Sequence, residues 1–301
     1  MSEHAGHPQA IAQDMRAAVR LEKWNIFWTI TYVGVLGVAM GSSQAMKTAW
    51  VEDILGLIPP LAFLIGERFE RRGADGRYQY GYDRVNGLGF MVAAVALAAV
   101  GVFLLKDAVT ALLSQQHVTV GTVRMWGRDI WLGWFMMAAQ AYASIPPFII
   151  GRKELKLAKS LRDKLIHTDA LMNKANWQTG VAGILGILGI GLGFWWADAA
   201  AAAIISASII WDGWNAMKVA AGELIDGVPR ELGDEKLSQE AEALAEDLRQ
   251  RFPDAKAILL RETGRFIRAE VVGAAPSEFR REELTMDGCE DWRVDSISFR
   301  P

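Results

Sequence analysis

The sequence predicts a mostly α-helical fold in which a six-helix transmembrane bundle precedes a small α+β domain. Three observations support this prediction. Hydrophobic residues make up 51% of the 301 residues, long apolar runs recur before residue 220, and the composition becomes that of a soluble module after Gly227-Val-Pro229. The first part of the chain is too apolar for a single soluble core, so we expect an integral membrane protein.

Run length gives the predicted spans, because about 20 apolar residues cross the hydrocarbon layer as a helix. The six spans are residues 24–41, 44–65, 85–105, 130–150, 165–194 and 197–219. Basic residues are concentrated in the N-terminal tail and in the loops after the second and fourth spans, so the positive-inside rule places both termini in the cytoplasm. The predicted domains are a cytoplasmic tail (1–23), a transmembrane domain (24–227) and a cytoplasmic domain (228–301).

The cytoplasmic domain is predicted from local patterns. Residues 234–252 have apolar positions at helical spacing, and residues 257–260 and 266–272 flank a Thr263-Gly264 turn typical of a β-hairpin. A third strand is expected over 292–299, and a short second helix over 278–284. So small a module is expected to dimerise. The arginines of the hairpin are expected to be solvated, namely Arg261, Arg265 and Arg268.

Several classes of protein are excluded by what the sequence lacks. The single cysteine, Cys289, excludes an internal disulfide framework and a cysteine-cluster metal site. No nucleophile–base pair, nucleotide-binding loop or HExxH spacing stands out in the soluble part, so we expect no enzyme and no resident cofactor. The net charge of −3 is unevenly distributed and does not favour nucleic acid as a partner.

Polar side chains lead directly into the fifth apolar run. The stretch from His167 to Gln178 carries ionisable and amide groups and is followed by the apolar residues 181–196. A carboxylate within a bilayer costs a few kcal/mol, so such groups usually face a polar pathway or a partner. Asp169, Asn173 and Asn176 form one stripe of a helix, with oxygen atoms suited to hard cations. This pattern predicts a transporter.

The order of these features resembles the cation diffusion facilitator family over residues 21–299. The resemblance implies six membrane helices, cytoplasmic termini and a ferredoxin-like domain that dimerises. It also implies that Asp53 and Asp169 are metal ligands. The motifs that carry it are Ser43-Gln-Ala45 followed by Asp53, Tyr80-Gly81-Tyr82-Asp83-Arg84, Asp169-Ala-Leu-Met-Asn173, Trp196-Ala-Asp198 and Leu224-Ile-Asp226-Gly-Val-Pro229.

The sequence departs from this family at half of the expected metal ligands. Family members use two residues four apart on the second helix and two more on the fifth, but Ala49 and Leu165 occupy the other two positions here. The predicted metal site is therefore Asp53, Asp169 and Asn173, with Glu52 as an optional ligand. Such an oxygen-rich site favours Mn²⁺, Mg²⁺ or Fe²⁺ over Zn²⁺.

Four further polar residues are possible accessories to this site: Lys47, His167, Asn176 and Asp198. Lys47 is interpreted either as a buried ion pair or snorkelling side chain, or as a built-in counter-ion that competes with the cation. His167 lies about 200° around the helix from Asp169 and does not share its face. Asp198 either caps its helix or helps to admit cations.

The functional prediction is a secondary transporter that exports divalent metal cations from the cytoplasm in exchange for protons. Metal binding would release protons from buried carboxylates, because desolvation raises their pKa and a bound cation lowers it. We expect a homodimer surrounded by lipid in the bacterial inner membrane. The alternative is a non-transporting or regulatory scaffold that keeps the transporter fold with half of the ligand set.

Overall fold

The computed structural model describes residues 9–39, 50, 53–115, 122–125, 128–131, 133–274, 284 and 291–301. The predictions that lie outside these ranges include Lys47, Glu52, the Ser43-Gln-Ala45 motif and most of the proposed short helix over 278–284.

Six helices with described bounds precede the C-terminal unit. They are α1 (Gln9–Ala39), α2 (Ile58–Glu70), α3 (Arg84–Leu113), α4 (Gly133–Leu161), α5 (Lys164–Gly191) and α6 (Ala197–Leu224). A short antiparallel hairpin, β1 (Thr122–Met125) and β2 (Arg128–Trp131), connects α3 to α4. Helix α1 begins within the predicted tail, and α4 continues well beyond the end of the predicted span. A hydropathy run marks the apolar part of a helix and not the residue at which the helix ends.

Among the described helices, α3 is the one long and apolar enough to cross a membrane by length and composition alone, with a mean hydropathy of 2.7 in its best window. The described part of α2 has only 13 residues, which is too short to cross a membrane. Helices α1, α4, α5 and α6 contain charged and amide residues that lower their mean hydropathy. The presence of six spans therefore stays a prediction.

Helices α3 and α6 approach each other closely at a glycine. An added β-carbon at Gly213 would lie 2.6 Å from the backbone nitrogen of Ala98 and 2.7 Å from its Cα. At the neighbouring contact, a β-carbon at Gly101 would lie 2.8 Å from the backbone nitrogen of Ile210. Small residues allow such backbone approach, which maximises van der Waals contact between helices.

The C-terminal unit is a helix packed on a three-stranded sheet. It consists of α7 (Gln239–Arg251), β3 (Ala257–Thr263), β4 (Phe266–Val272) and β5 (Val294–Arg300). The strand order is β3-β4-β5, with β3 antiparallel and β5 parallel to β4. Helix α7 starts at Ser238, whose hydroxyl accepts a hydrogen bond from the Ala241 backbone N–H, and it buries Leu244 and Leu248 against the sheet. The mostly helical class and the small C-terminal sheet are confirmed.

The tip of the β3–β4 hairpin packs against the end of the helix bundle, and this overturns one expectation. Arg265 was expected to be solvated, but its side chain is only 5% exposed. It donates to Asp163 at 2.5 Å and to Glu70 at 2.7 Å. Arg268 is also largely buried, whereas Arg261 is 47% exposed, as expected. The turn residue Gly264 has a φ of +61°, and an added β-carbon there would lie 2.5 Å from the Asp83 carbonyl oxygen.

The reason for the burial of Arg265 is that two acids meet at this end of the bundle. Asp163 caps α5 by accepting hydrogen bonds from the backbone N–H groups of Leu165 and Ile166, and its other oxygen accepts one from Asn86. Burial raises the pKa of Glu70 to about 7, although the neighbouring Arg265 opposes that rise. A guanidinium with several donors can satisfy both carboxylates at once.

A second group of buried charges lies beside the first. Lys164 pairs with Glu262 of the hairpin and with Glu223 at the end of α6. Arg293, just before β5, donates to Glu262 at 2.8 Å and reaches Glu240 of α7 at 3.5 Å. Every buried acid in this junction therefore has a basic partner.

Replacing Gly213 by alanine should destabilise the bundle, because the new methyl group would meet the backbone of Ala98. Overpacking of this kind costs about 1–3 kcal/mol. The expected result is a lower midpoint of thermal unfolding in detergent. The matched control is Gly34→Ala, since nothing lies within 4 Å of an added β-carbon there. Equal midpoints for the two variants would contradict the close contact.

Replacing Arg265 by alanine should destabilise the protein far more than replacing Arg261. The first change leaves Asp163 and Glu70 buried without their cation, and breaking a buried pair costs about 3–5 kcal/mol. Arg261 is half-exposed and pairs with Asp226 at 3.6 Å, an arrangement worth about 0–1 kcal/mol. Thermal unfolding of the two variants measures the difference. Similar midpoints would show that the hairpin tip is not anchored by its arginine.

Candidate metal centre

Three carboxylates from three helices converge inside the bundle. Glu22 of α1, Glu154 of α4 and Asp169 of α5 are all fully or almost fully buried. One oxygen of each lies within 4.8 Å of the corresponding oxygens of the other two. The three acids together could hold a metal ion or bind protons.

Local packing explains why these acids meet. Helices α4 and α5 are joined by a tight turn and run side by side, and they approach closely at Gly151. An added β-carbon at Gly151 would lie 3.0 Å from Cβ of Asn173 and 3.4 Å from the Ala170 carbonyl oxygen. Glu154 lies three residues further along α4, about one helical turn, and so faces Asn173 and Asp169.

Two asparagines bridge Glu154 and Asp169. The Asn25 side chain of α1 donates to Glu154 at 3.1 Å and to Asp169 at 3.3 Å. The Asn173 side chain donates to Glu154 at 2.9 Å and to Asp169 at 3.5 Å. Each amide also carries an oxygen, and rotation by 180° would present that oxygen in place of the nitrogen. Within the described part of the chain, the groups that bond to these two acids are therefore carboxylate and amide groups.

Glu22 differs from the other two acids because no amide or basic side chain of the described residues donates to it. Both of its carboxylate oxygens are buried, and its polar neighbour is the carboxyl group of Asp169, with which it can share a proton. No described Lys or Arg forms an ion pair with any of the three acids. Lys164, Lys174 and Arg265, for example, pair with acids elsewhere in the protein. An unpaired buried charge is strongly unfavourable. The centre must therefore be compensated by protons or by a bound cation.

The structure brings together only part of the metal site predicted from the sequence. Asp169 and Asn173 are adjacent, as their spacing predicts. Asp53 is not a member of the three-carboxylate group among the described residues. Its charge acts instead on the hydroxyl group of Tyr32 on α1. The side chain of Asn176 also lies next to the Tyr32 hydroxyl. The optional ligand, Glu52, is outside the described residues.

Among the remaining accessory residues, His167 does not belong to the three-acid group. His167 lines a cavity of about 160 Å³ between α3, α5 and α6, together with Asp212 and Asn215. This position agrees with the expectation that it does not share the face of Asp169. Asp198 is the second residue of α6, and Lys47 lies outside the described residues.

Sequence reasoning missed Glu22, Asn25 and Glu154. Glu154 belongs to the strongly basic segment between the fourth and fifth predicted spans, and Glu22 belongs to the predicted tail. A signal for Glu154 was present, since it continues the buried stripe of α4 that includes Ile150, Ala158 and Leu161. An acid at a core position of an amphipathic helix is unusual enough to indicate a site.

Replacing Glu22 by glutamine should have opposite effects on the metal-free and metal-bound protein. Without metal, the variant should be more stable than the wild type at pH 8, because one of three neighbouring buried acids is neutral. The stabilisation that Mn²⁺ adds should shrink; a saturating ligand contributes about 2.7 kcal/mol at 100 times its Kd. Thermal unfolding with and without Mn²⁺ measures both effects.

The control for this experiment is Glu246→Gln, an exposed acid on α7. It should change neither the stability nor the response to Mn²⁺. If Glu22→Gln responded to Mn²⁺ as the wild type does, Glu22 would not be a ligand.

Comparison with known proteins places this centre in a recognisable context. Residues 26–225 match a family model described as the cation efflux transmembrane domain. Manganese efflux system protein MneS of Bacillus subtilis (strain 168) is 22% identical over 185 residues, which cover 62% of this chain and 60% of that protein. The uncharacterized transporter YdbO of the same organism is 23% identical over 193 residues, covering 64% and 62%.

These alignments span about three fifths of the relatives' own length. Glu22 and Asn25 lie just before the residues that match the family model, whereas Glu154, Asp169 and Asn173 lie within them. The family match extends over well more than half of the chain and includes α2 to α6 almost completely. This membrane protein belongs to the cation efflux family.

Proposed function

We propose that this protein is a secondary transporter that exports a divalent metal cation from the cytoplasm in exchange for protons. The observation that carries the proposal is the group of Glu22, Glu154 and Asp169, buried inside the helix bundle without a basic partner among the described residues. In a cation efflux protein, such a group has the charge and the ligand atoms needed to hold the transported ion.

The donor atoms favour a hard cation. Carboxylate and amide oxygens suit Mn²⁺, Mg²⁺ and Fe²⁺, whereas Zn²⁺ is usually held by His or Cys side chains. No His or Cys is among the five residues of the centre. MneS is named for manganese efflux, and the chemistry of this centre is consistent with Mn²⁺ as the substrate here.

Proton exchange follows from the same three acids. A divalent cation neutralises two carboxylates, and protons can neutralise the group when the cation has left. Binding on one side therefore releases protons, and release on the other side permits their return. Alternating access of the centre to the two sides would couple the two movements.

The topology of the proposed transporter is that predicted from the basic loops. Six spans would place both termini in the cytoplasm of a bacterial inner membrane. The C-terminal domain would dimerise through the part of its sheet that does not contact α7. The scaffold alternative was motivated by Ala49 and Leu165 at two ligand positions, and Glu22 and Glu154 supply two carboxylates that can take the place of those ligands.

Reconstituted vesicles containing a metal-sensitive dye test the transport function. Wild-type protein should move Mn²⁺ across the membrane, and an opposing proton gradient should increase the rate. Glu154→Gln and Asp169→Asn should each lower the flux at least about tenfold, because each removes one charged ligand. Glu246→Gln should leave the flux unchanged. Absence of Mn²⁺, Mg²⁺ or Fe²⁺ flux across several pH gradients would instead favour the scaffold.

A further inference from the structure

A row of buried polar groups continues from the three acids between α1 and α5. On each helix the members are three or four residues apart and therefore share one face. The row rises about 15 Å along α1, at 1.5 Å per residue. On α1 it contains Glu22, Asn25, Thr29 and Tyr32, and on α5 it contains Asp169, Asn173, Asn176 and Thr179.

The two stripes face each other at both ends of this row. At the inner end, Asn25 donates to Asp169 at 3.3 Å. At the outer end, the carboxamide of Asn176 lies within hydrogen-bonding reach of the Tyr32 hydroxyl, which itself donates to Thr29 at 3.1 Å. Polar groups of the two helices thus meet at both ends of the row, beside the acids and at the level of Tyr32.

Two acceptors in the outer half of the row lack partners. The carboxamide oxygen of Asn176 and the hydroxyl oxygen of Thr179 are buried, and neither has a hydrogen bond within the described part of the chain. Buried polar atoms are nearly always satisfied in proteins, so these two open acceptors are available to a ligand. Both are neutral oxygen ligands of the type that hard cations accept.

Tyr32 closes the outer end of the row. It is almost completely buried and packs with Leu36 and Ala143, and the side chain of Trp50 covers this cluster. The Trp50 indole donates to the Val33 carbonyl oxygen at 3.0 Å, which holds it against α1. The charge of Asp53 acts on the Tyr32 hydroxyl group.

We infer that this row is the outward route of the transported divalent cation, with Asn176 and Thr179 as a second, weaker station between the three acids and Tyr32. This inference rests on the proposed function and adds the path and the ligands beyond the first site. Neutral oxygens hold a cation less tightly than three carboxylates. A step from charged to neutral ligands therefore allows the ion to leave, as multi-site conduction requires.

The substitution Asn176→Leu tests the route in the vesicle assay. It keeps the approximate size of the side chain but removes the ligand oxygen, so the maximal Mn²⁺ flux should fall about tenfold. The concentration of Mn²⁺ that gives half-maximal flux, and the thermal stabilisation by Mn²⁺, should stay close to wild type because the three acids are intact. Asn176→Asp retains an oxygen ligand and should retain most of the flux.

The matched control is Gln178→Leu, a change from amide to apolar side chain two residues along the same helix, about 200° away from Asn176. Its flux should equal that of the wild type. If Asn176→Leu transports as well as Gln178→Leu, or loses Mn²⁺ stabilisation together with flux, the second station is wrong while the transport function stands. A wild-type protein that transports no cation overturns both the function and the route.

Discussion

The uncompensated negative charge of three buried carboxylates is the constraint on which the interior of this protein depends. Glu22, Glu154 and Asp169 meet where the described residues offer two amides and no basic side chain. Their mutual repulsion in a medium of low dielectric constant is too large for all three to remain ionised without a counter-charge. A group of this kind is stable only when it binds protons or a cation. Replacement of one by the other is the physical basis of the proposed exchange.

The junction with the C-terminal domain shows how differently charge is treated where it has a structural role. Asp163, Glu70, Glu262 and Glu240 are also buried, but Arg265, Lys164 and Arg293 satisfy them. Asp163 caps α5 only six residues before Asp169, about 9 Å along the helix axis. The start of α5 is therefore held by compensated ion pairs, while the carboxylate one and a half turns further on is left for a ligand.

Much of the fold was predictable because the relevant signals are local. Apolar runs, turn residues and helical periodicity predicted the long helices, the hairpin around Gly264 and the C-terminal strands. The pairing of Asp169 with Asn173 was predictable for the same reason, since residues four apart on a helix must lie on one face. The prediction of a solvated Arg265 was wrong, although Arg261 is exposed as predicted, because the exposure of Arg265 depends on what docks against the turn and no local pattern contains that information.

The candidate site could be predicted only in part. The family resemblance implies metal ligands on the second and fifth helices, and the residues that match the family model begin after Glu22. Glu154 lies in a segment whose average charge is basic. That average predicts an exposed segment, but burial differs from one residue to the next, and Glu154 is buried. Asp53 is not a member of the three-acid group among the described residues.

By itself, the sequence determined the helical class, the two-part organisation, the membrane character and the polar face of α5, because each of these follows from composition or from the period of a single helix. Tertiary structure alone decided which other acids join Asp169. The physical reason is that α4 packs closely on α5 at Gly151, and Asn25 of α1 hydrogen-bonds to acids of both helices. Those contacts place residues far apart in the chain around one small volume, and only there does their charge require a common partner.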